Sequence, residues 1–221
     1  MDRRRIMMKK KARLPSDYQE VKWIESHGNE WINTNVNEKA GETNTHIINV
    51  SFSVQSKDIS AFSIFGKHSS NNYGAMRLQY DINRFVIEAK SYILRINRSI
   101  DDILNKKINF FINPNGDNVI VSFDNSEYTI GKSNSRDANL KYALFSGSTD
   151  QRHSLPIGMI RVYKFSIKTP ERNIVNFVPC YRKSDGVIGM YDLCGSICPL
   201  TNTPFYINAG TGTFTKGADV L

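Results

Sequence analysis

Along residues 46–54, HIINVSFSV, apolar and polar positions alternate. Ile48, Val50, Phe52 and Val54 fall on one side, and Asn49, Ser51 and Ser53 on the other. A period of two describes a strand with one buried face. The same period recurs down the chain. Met76, Leu78 and Tyr80 share a face in residues 74–80. Ile160, Val162, Phe165 and Ile167 share one in residues 157–168, with an offset at Tyr163-Lys164 that predicts a bulge. Shorter runs of β-formers predict strands at 21–24, 30–34, 61–66, 83–89, 92–97, 107–112, 118–123, 127–130, 142–146, 172–178 and 187–191. Turn signals separate them: His27-Gly28-Asn29, Pro114-Asn115-Gly116-Asp117, Asp124-Asn125, Ser184-Asp185-Gly186 and Asn208 to Gly212. One stretch, 99–105, reads as a short helix, with Ser99 as N-cap and Asp101 and Asp102 in the first turn. About a dozen short strands with almost no helix describe a β-sandwich or barrel. No linker or repeat divides the chain, so the pattern predicts one domain over 14–221.

Composition adds an asymmetry. The chain has 221 residues, 40% of them hydrophobic, which suits one large β domain. The first 13 residues hold seven Lys/Arg against one Asp, a net +6, and the remaining 208 hold 22 against 20, a net +2. The basicity belongs to an N-terminal arm, Arg3, Arg4, Arg5, Lys9, Lys10, Lys11 and Arg13. Such an arm suits an acidic partner protein, nucleic acid or an anionic membrane. Its apolar part, Ile6-Met7-Met8, is too short for a secretory signal. No run reaches the length of a membrane helix. The expectation is synthesis in the cytoplasm, with no membrane partner. Nucleic acid is disfavoured because the domain lacks a basic stripe with interleaved aromatics.

Cys180, Cys194 and Cys198 are odd in number, which excludes a complete disulfide framework. A single Cys180–Cys194 or Cys180–Cys198 bridge stays open. His27, His46, His68 and His153 do not complete a zinc set with the cysteines. No metal and no cofactor are expected.

Two ends of the chain carry a family likeness. The lead-in LPSDYQEVKWIESHGNEWINTNV (14–36), the strand RVYKFSI (161–167), the segment FVPCYRKSDGVIGMYD (177–192), Phe205-Tyr206 and NAGTGTF (208–214) together resemble a domain of bacteriophage and prophage structural proteins. The likeness runs over about 14–217, strongest at both ends. It implies an all-β fold, a concanavalin A-like (laminin-G-like) jelly-roll sandwich of two antiparallel sheets, with the termini near each other. It also implies a non-enzymatic virion role as capsid decoration, head fibre or tail-associated module, present in several copies or as a homo-oligomer. The arm would then dock on other virion proteins, and the sandwich would face a host-surface glycan. The chain departs from the pattern at His27 to Trp31 and at the longer stretch Cys194 to Pro204, a candidate contact loop. The alternative is a secreted or cell-surface bacterial domain that binds or hydrolyses glycans.

A glycan site pairs aromatic platforms with hydrogen-bonding side chains. The residues available for it are Trp31, Tyr73, Arg77, Tyr80 and Tyr92. A glycoside hydrolase needs two facing carboxylates. The Glu-x-Asp-x-x-Glu pattern is absent, and Glu25 and Glu30 are separated by a turn. The expectation is therefore no catalysis.

Overall fold

The computed structural model describes residues 14–37, 46–56, 61–67, 76–89, 92–115, 118–131, 141–147 and 159–221. The arm over residues 1–13 and Tyr73 lie outside them. Strands are numbered in chain order. The smaller sheet holds β3 (Ile32–Asn37), β5 (Ala61–Lys67), β6 (Met76–Asp81), β7 (Arg84–Ala89), β8 (Tyr92–Asn97) and β12 (Lys141–Leu144), in the order β3-β12-β5-β6-β7-β8. The larger sheet runs β11 (Ser126–Gly131), β10 (Asn118–Phe123), β9 (Ile108–Asn115), β4 (Ile47–Val54), β13 (Ile160–Lys168), β14 (Asn173–Arg182), β15 (Ile188–Asp192), β16 (Phe205–Tyr206). It also takes in β1 (Tyr18–Glu20), β2 (Ile24–Ser26) and β17 (Thr215–Lys216). All strand pairings described are antiparallel. The chain thus forms the expected all-β jelly-roll sandwich.

The alternating residues meet between the sheets. Phe85 of the smaller sheet lies 4.6 Å from Phe123, 5.2 Å from Tyr80 and 6.0 Å from Phe52 by ring centroids, in tilted and edge-on arrangements. Edge and tilted contacts are the favoured geometry for aromatic pairs. The one helix among the described residues, α1 (Ile100–Ile103), carries the expected cap. The Asp102 amide donates to Ser99 Oγ and the Ser99 amide to Asp102 Oδ2, both at 3.2 Å. Those hydrogen bonds hold the Asp102 carboxyl below the usual carboxylate range. Asp102 is therefore a helix cap.

One sequence expectation needs correction. Residues 21–24 do not form one strand. β1 ends at Glu20, Val21 makes an isolated bridge to Asp219, and β2 starts at Ile24. The turn expected at His27-Gly28-Asn29 is present, but the strands it joins lie in different layers: β2 belongs to the larger sheet and β3 to the smaller. Gly28, at φ 120°, lets the turn carry the chain from one layer to the other.

The split of 21–24 traces to a fork. β13 and β14 pair only from Phe165↔Phe177 to Lys168↔Asn173. Beyond that β13 takes β2 as partner, and β14 takes β1. The expected bulge is present, as a register shift between Val162 and Lys164, and it sits where the fork opens. The C-terminal residues fill the space between the two lead-in strands. Thr215 pairs with Glu25, the Lys22 amide donates to the Ala218 carbonyl at 2.9 Å, and Val220 N donates to Glu20 O at 2.9 Å. The lead-in strands and the C-terminal residues therefore lie side by side.

At the β6–β7 tip, Ile82 (φ 41°) and Asn83 (φ 60°) turn the chain in the left-handed region. Asn suits this geometry and a β-branched residue does not. Ile82 is 72% exposed, so packing does not offset the strain. Ile82→Asn is expected to stabilise the domain by about 1 kcal/mol. A thermal melt checks this; a lowered midpoint would contradict it.

Candidate functional site

The aromatic and basic residues singled out in the sequence do not converge. Tyr80 is 2% exposed, and its ring stacks on Phe62 at 5.0 Å. It is a core residue and offers no sugar platform. Its position could be read from the sequence, because it shares a face with Met76 and Leu78. Arg77 points outward from the smaller sheet, and its Nε lies 2.7 Å from Glu88 Oε2. That cation is committed to a nearly buried carboxylate. Tyr92 is exposed, on the edge strand β8. Trp31 is partly buried and packs against the core.

Trp31 does mark where the two ends of the chain join. Its amide donates to Asn208 Oδ1 at 3.0 Å, and its carbonyl accepts from the Ala209 amide at 2.8 Å. A Cβ at Gly210 would fall on the Asn29 carbonyl oxygen and 2.8 Å from the Trp31 ring. Only glycine permits that approach.

Beside this joint lie two buried acids. Glu25 Oε2 accepts from Arg161 Nε at 2.5 Å, and the Arg161 guanidinium stacks 3.9 Å above the Trp23 ring. Glu30 Oε2 accepts from the His27 amide at 2.7 Å and from Ser26 Oγ at 3.1 Å. These carboxylates hold the turn between the sheets.

Asp192, fully buried, does the same at the other end of the closing segment. Its carboxylate accepts from the amides of Asn176 at 2.7 Å, Ser196 at 2.8 Å and Cys194 at 3.1 Å, and from the Ser196 hydroxyl. Glu25, Glu30, Glu88 and Asp192 are the buried acids among the described residues, and each is engaged by cations or hydrogen-bond donors.

The cysteines are free thiols. Burial pushes Cys180 up to about 12. Partial burial and the neighbouring Asp192 push Cys194 up to about 11. Neither supplies a thiolate nucleophile near neutral pH.

The fork itself leaves a groove of about 590 Å³ open to solvent. Its floor comes from β14, Asn176 to Pro179. One wall is the lead-in, Leu14 and Tyr18 to Glu20, and the other is the β13 bulge, Tyr163 and Lys164. The bulge turns Tyr163 outward, where its hydroxyl lies 3.0 Å from Ser53 Oγ and the Lys107 ammonium sits 4.8 Å from its ring centroid. Tyr18 is braced by Tyr191 and Phe205, at 4.9 and 5.0 Å between ring centroids. The groove therefore combines two fixed aromatic rings, an aliphatic floor, two amide side chains (Gln19 and Asn176), one cation and one carboxylate, Glu20. Ligand sites are clefts of this size in which a few fixed polar groups set orientation; this one is about as polar as it is apolar. None of these residues stood out in the sequence except as the bulge offset, which is a known way of re-aiming a side chain.

No protein-family model matches the chain, and no curated protein matches it. Among solved structures, the fold is similar to the mouse laminin alpha1 chain, domains LG4-5, with a TM-score of 0.45 and 9% sequence identity. The match covers 80% of this chain and 49% of that one, so the chain spans about half the length of that structure.

Proposed function

We propose that the chain is a non-enzymatic recognition module of a bacteriophage particle, and that the groove at the β13–β14 fork binds a host-surface glycan. The observation that carries the reading is the groove: two braced tyrosines over an aliphatic floor, with amides at hand. Aromatic faces take the apolar faces of sugar rings, and amides take the hydroxyls. The particle assignment rests on the likeness of both chain ends to phage structural proteins. In that setting the basic arm docks on acidic partners in the particle, and the sandwich faces outward.

The absence of catalysis is supported by where the acids are. Glycoside hydrolysis requires a carboxylic acid and a carboxylate across one cleft. Among the described residues Glu20 is the acid lining the groove, and the buried acids are tied to backbone amides, hydroxyls and arginines.

Tyr163→Ala is expected to weaken glycan binding at least tenfold, about 1.4 kcal/mol, while leaving the melting midpoint within a few degrees. Binding measured on an array of bacterial surface glycans checks this. The particle assignment has its own test. Mass spectrometry of purified virions should find the chain, and its absence from intact particles would overturn that assignment without touching the groove.

A further inference from the structure

The groove at the fork lies where the basic arm joins the domain. Leu14 lines it. Arg13 is bonded to Leu14, and Lys11 stands three residues before Leu14. Consecutive Cα atoms are about 3.8 Å apart, so the Cα of Lys11 lies within about 11 Å of that of Leu14 whatever path the chain takes. That is close to the Debye length of about 10 Å at 0.1 M ionic strength, so both charges are felt at the groove. Two lysines of the domain add to them. Lys164 lines the groove and is exposed. Lys107, also exposed, holds its ammonium 4.8 Å from the Tyr163 ring centroid. Among the described residues neither lysine is ion-paired with a carboxylate. The exposed acids nearby are Glu20, which lines the groove, and Asp17 in the lead-in. Asp192 approaches Asn176 from below, but its charge is spread over three amides. Four cations therefore stand against two exposed acids.

We propose that the glycan of this groove is anionic, a polysaccharide that carries a carboxylate or a phosphate on its repeating unit. The inference rests on the reading of the groove as a glycan site and names the class that the site takes. Lys164, on the β13 wall, is the direct contact. It has no carboxylate partner, so an acidic sugar breaks no existing pair, and the two potentials complement each other. Lys107 is held over Tyr163, so a sugar laid against that ring brings its anionic group beside a second ammonium. Arg13 and Lys11 act at longer range, where they raise the local concentration of a polyanion and the rate of its capture. Glu20, on the opposite wall, repels the same ligand. The proposal therefore has a sign at each wall: neutralising Lys164 weakens binding, and neutralising Glu20 tightens it.

The test is an array of neutral, carboxylated and phosphodiester-bearing bacterial polysaccharides, read at low and at high salt. It compares the full chain with Lys164→Gln, Glu20→Gln and Tyr163→Ala. The wild-type chain should retain anionic members and lose affinity as salt rises. Lys164→Gln should weaken that binding about fivefold, and Glu20→Gln should strengthen it about threefold. Both variants should melt as the wild type does, since both side chains are exposed. Lys11→Gln together with Arg13→Gln should flatten the salt dependence. Retention of carboxylated members alone, or of phosphodiester members alone, supports the class and identifies the group. Retention of neutral members only would overturn the anionic class and leave the groove a neutral-glycan site. So would affinities that do not respond to Lys164→Gln or Glu20→Gln. Anionic binding that survives Tyr163→Ala unchanged would assign the polyanion to the arm instead of the groove, and would overturn the proposal together with the glycan reading. Retention of nothing would also overturn both.

Discussion

Replacing Asp192 by alanine is expected to destabilise the domain by about 3–5 kcal/mol. The carboxylate is fully buried and gathers three backbone amides and one hydroxyl from β14 and from the loop after β15. Alanine leaves those donors without an acceptor in a place where water cannot reach all of them, and each orphaned group costs about 1–3 kcal/mol. For a chain of this length the loss corresponds to roughly 10 °C in the thermal midpoint. Asp192→Asn keeps one acceptor oxygen, but sets an amide nitrogen against the donors of the other side, so it should fall between. The damage should also be local. The Ser196 hydroxyl lies 2.8 Å from the Tyr206 hydroxyl, so the staple ties the loop to β16. Hydrogen exchange should rise in residues 193–204 before the sandwich opens. Wild-type protection there in the alanine variant would contradict the role given to this residue.

Gly189→Ala is expected to cost about 3 kcal/mol by overpacking. Gly189 lies opposite Cys180 in β15, on the outward face of the larger sheet. A Cβ there would fall on the Tyr206 carbonyl oxygen and 3.0 Å from the Phe205 ring. Neither neighbour can move freely. Phe205 is fully buried against Tyr18, and Tyr206 pairs with Met190. Relief therefore means breaking the β15–β16 pairing or displacing Tyr18, which walls the groove. The variant should lose glycan binding as well as stability, in contrast to Tyr163→Ala, which should lose binding alone. Urea unfolding and the same array read both effects.

Much of the fold was legible in the sequence because a strand with one wet face writes its burial as alternation. β6 follows the pattern residue by residue, while in β4 Ser51 and Ser53, read as the outer side, are buried as well. The cap at Ser99 and the bulge at Tyr163-Lys164 were legible for the same reason: each breaks a period at a definite place. Partner choice was not legible. The period of two says which side of a strand is buried but not which strand lies beside it. The turn at His27-Gly28-Asn29 was legible, but not that the two strands it joins lie in different sheets. The site was the least legible part, because it is made by the divergence of two strands. Tyr18, Tyr163 and Asn176 are far apart in sequence, and only the fork brings them to one groove. Tyr80, by contrast, looked available as an aromatic residue, yet its alternation with Met76 and Leu78 already placed it in the core.

The central claim is that the fork between β13 and β14 is a glycan site. Its most direct measurement is the binding of the full chain and of Tyr163→Ala, side by side, to an array of bacterial surface polysaccharides. The wild-type chain should retain a defined subset, and Tyr163→Ala should lose that subset while melting as the wild type does. A wild-type chain that retains no glycan, or a Tyr163→Ala variant that retains the same glycans equally well, would contradict it.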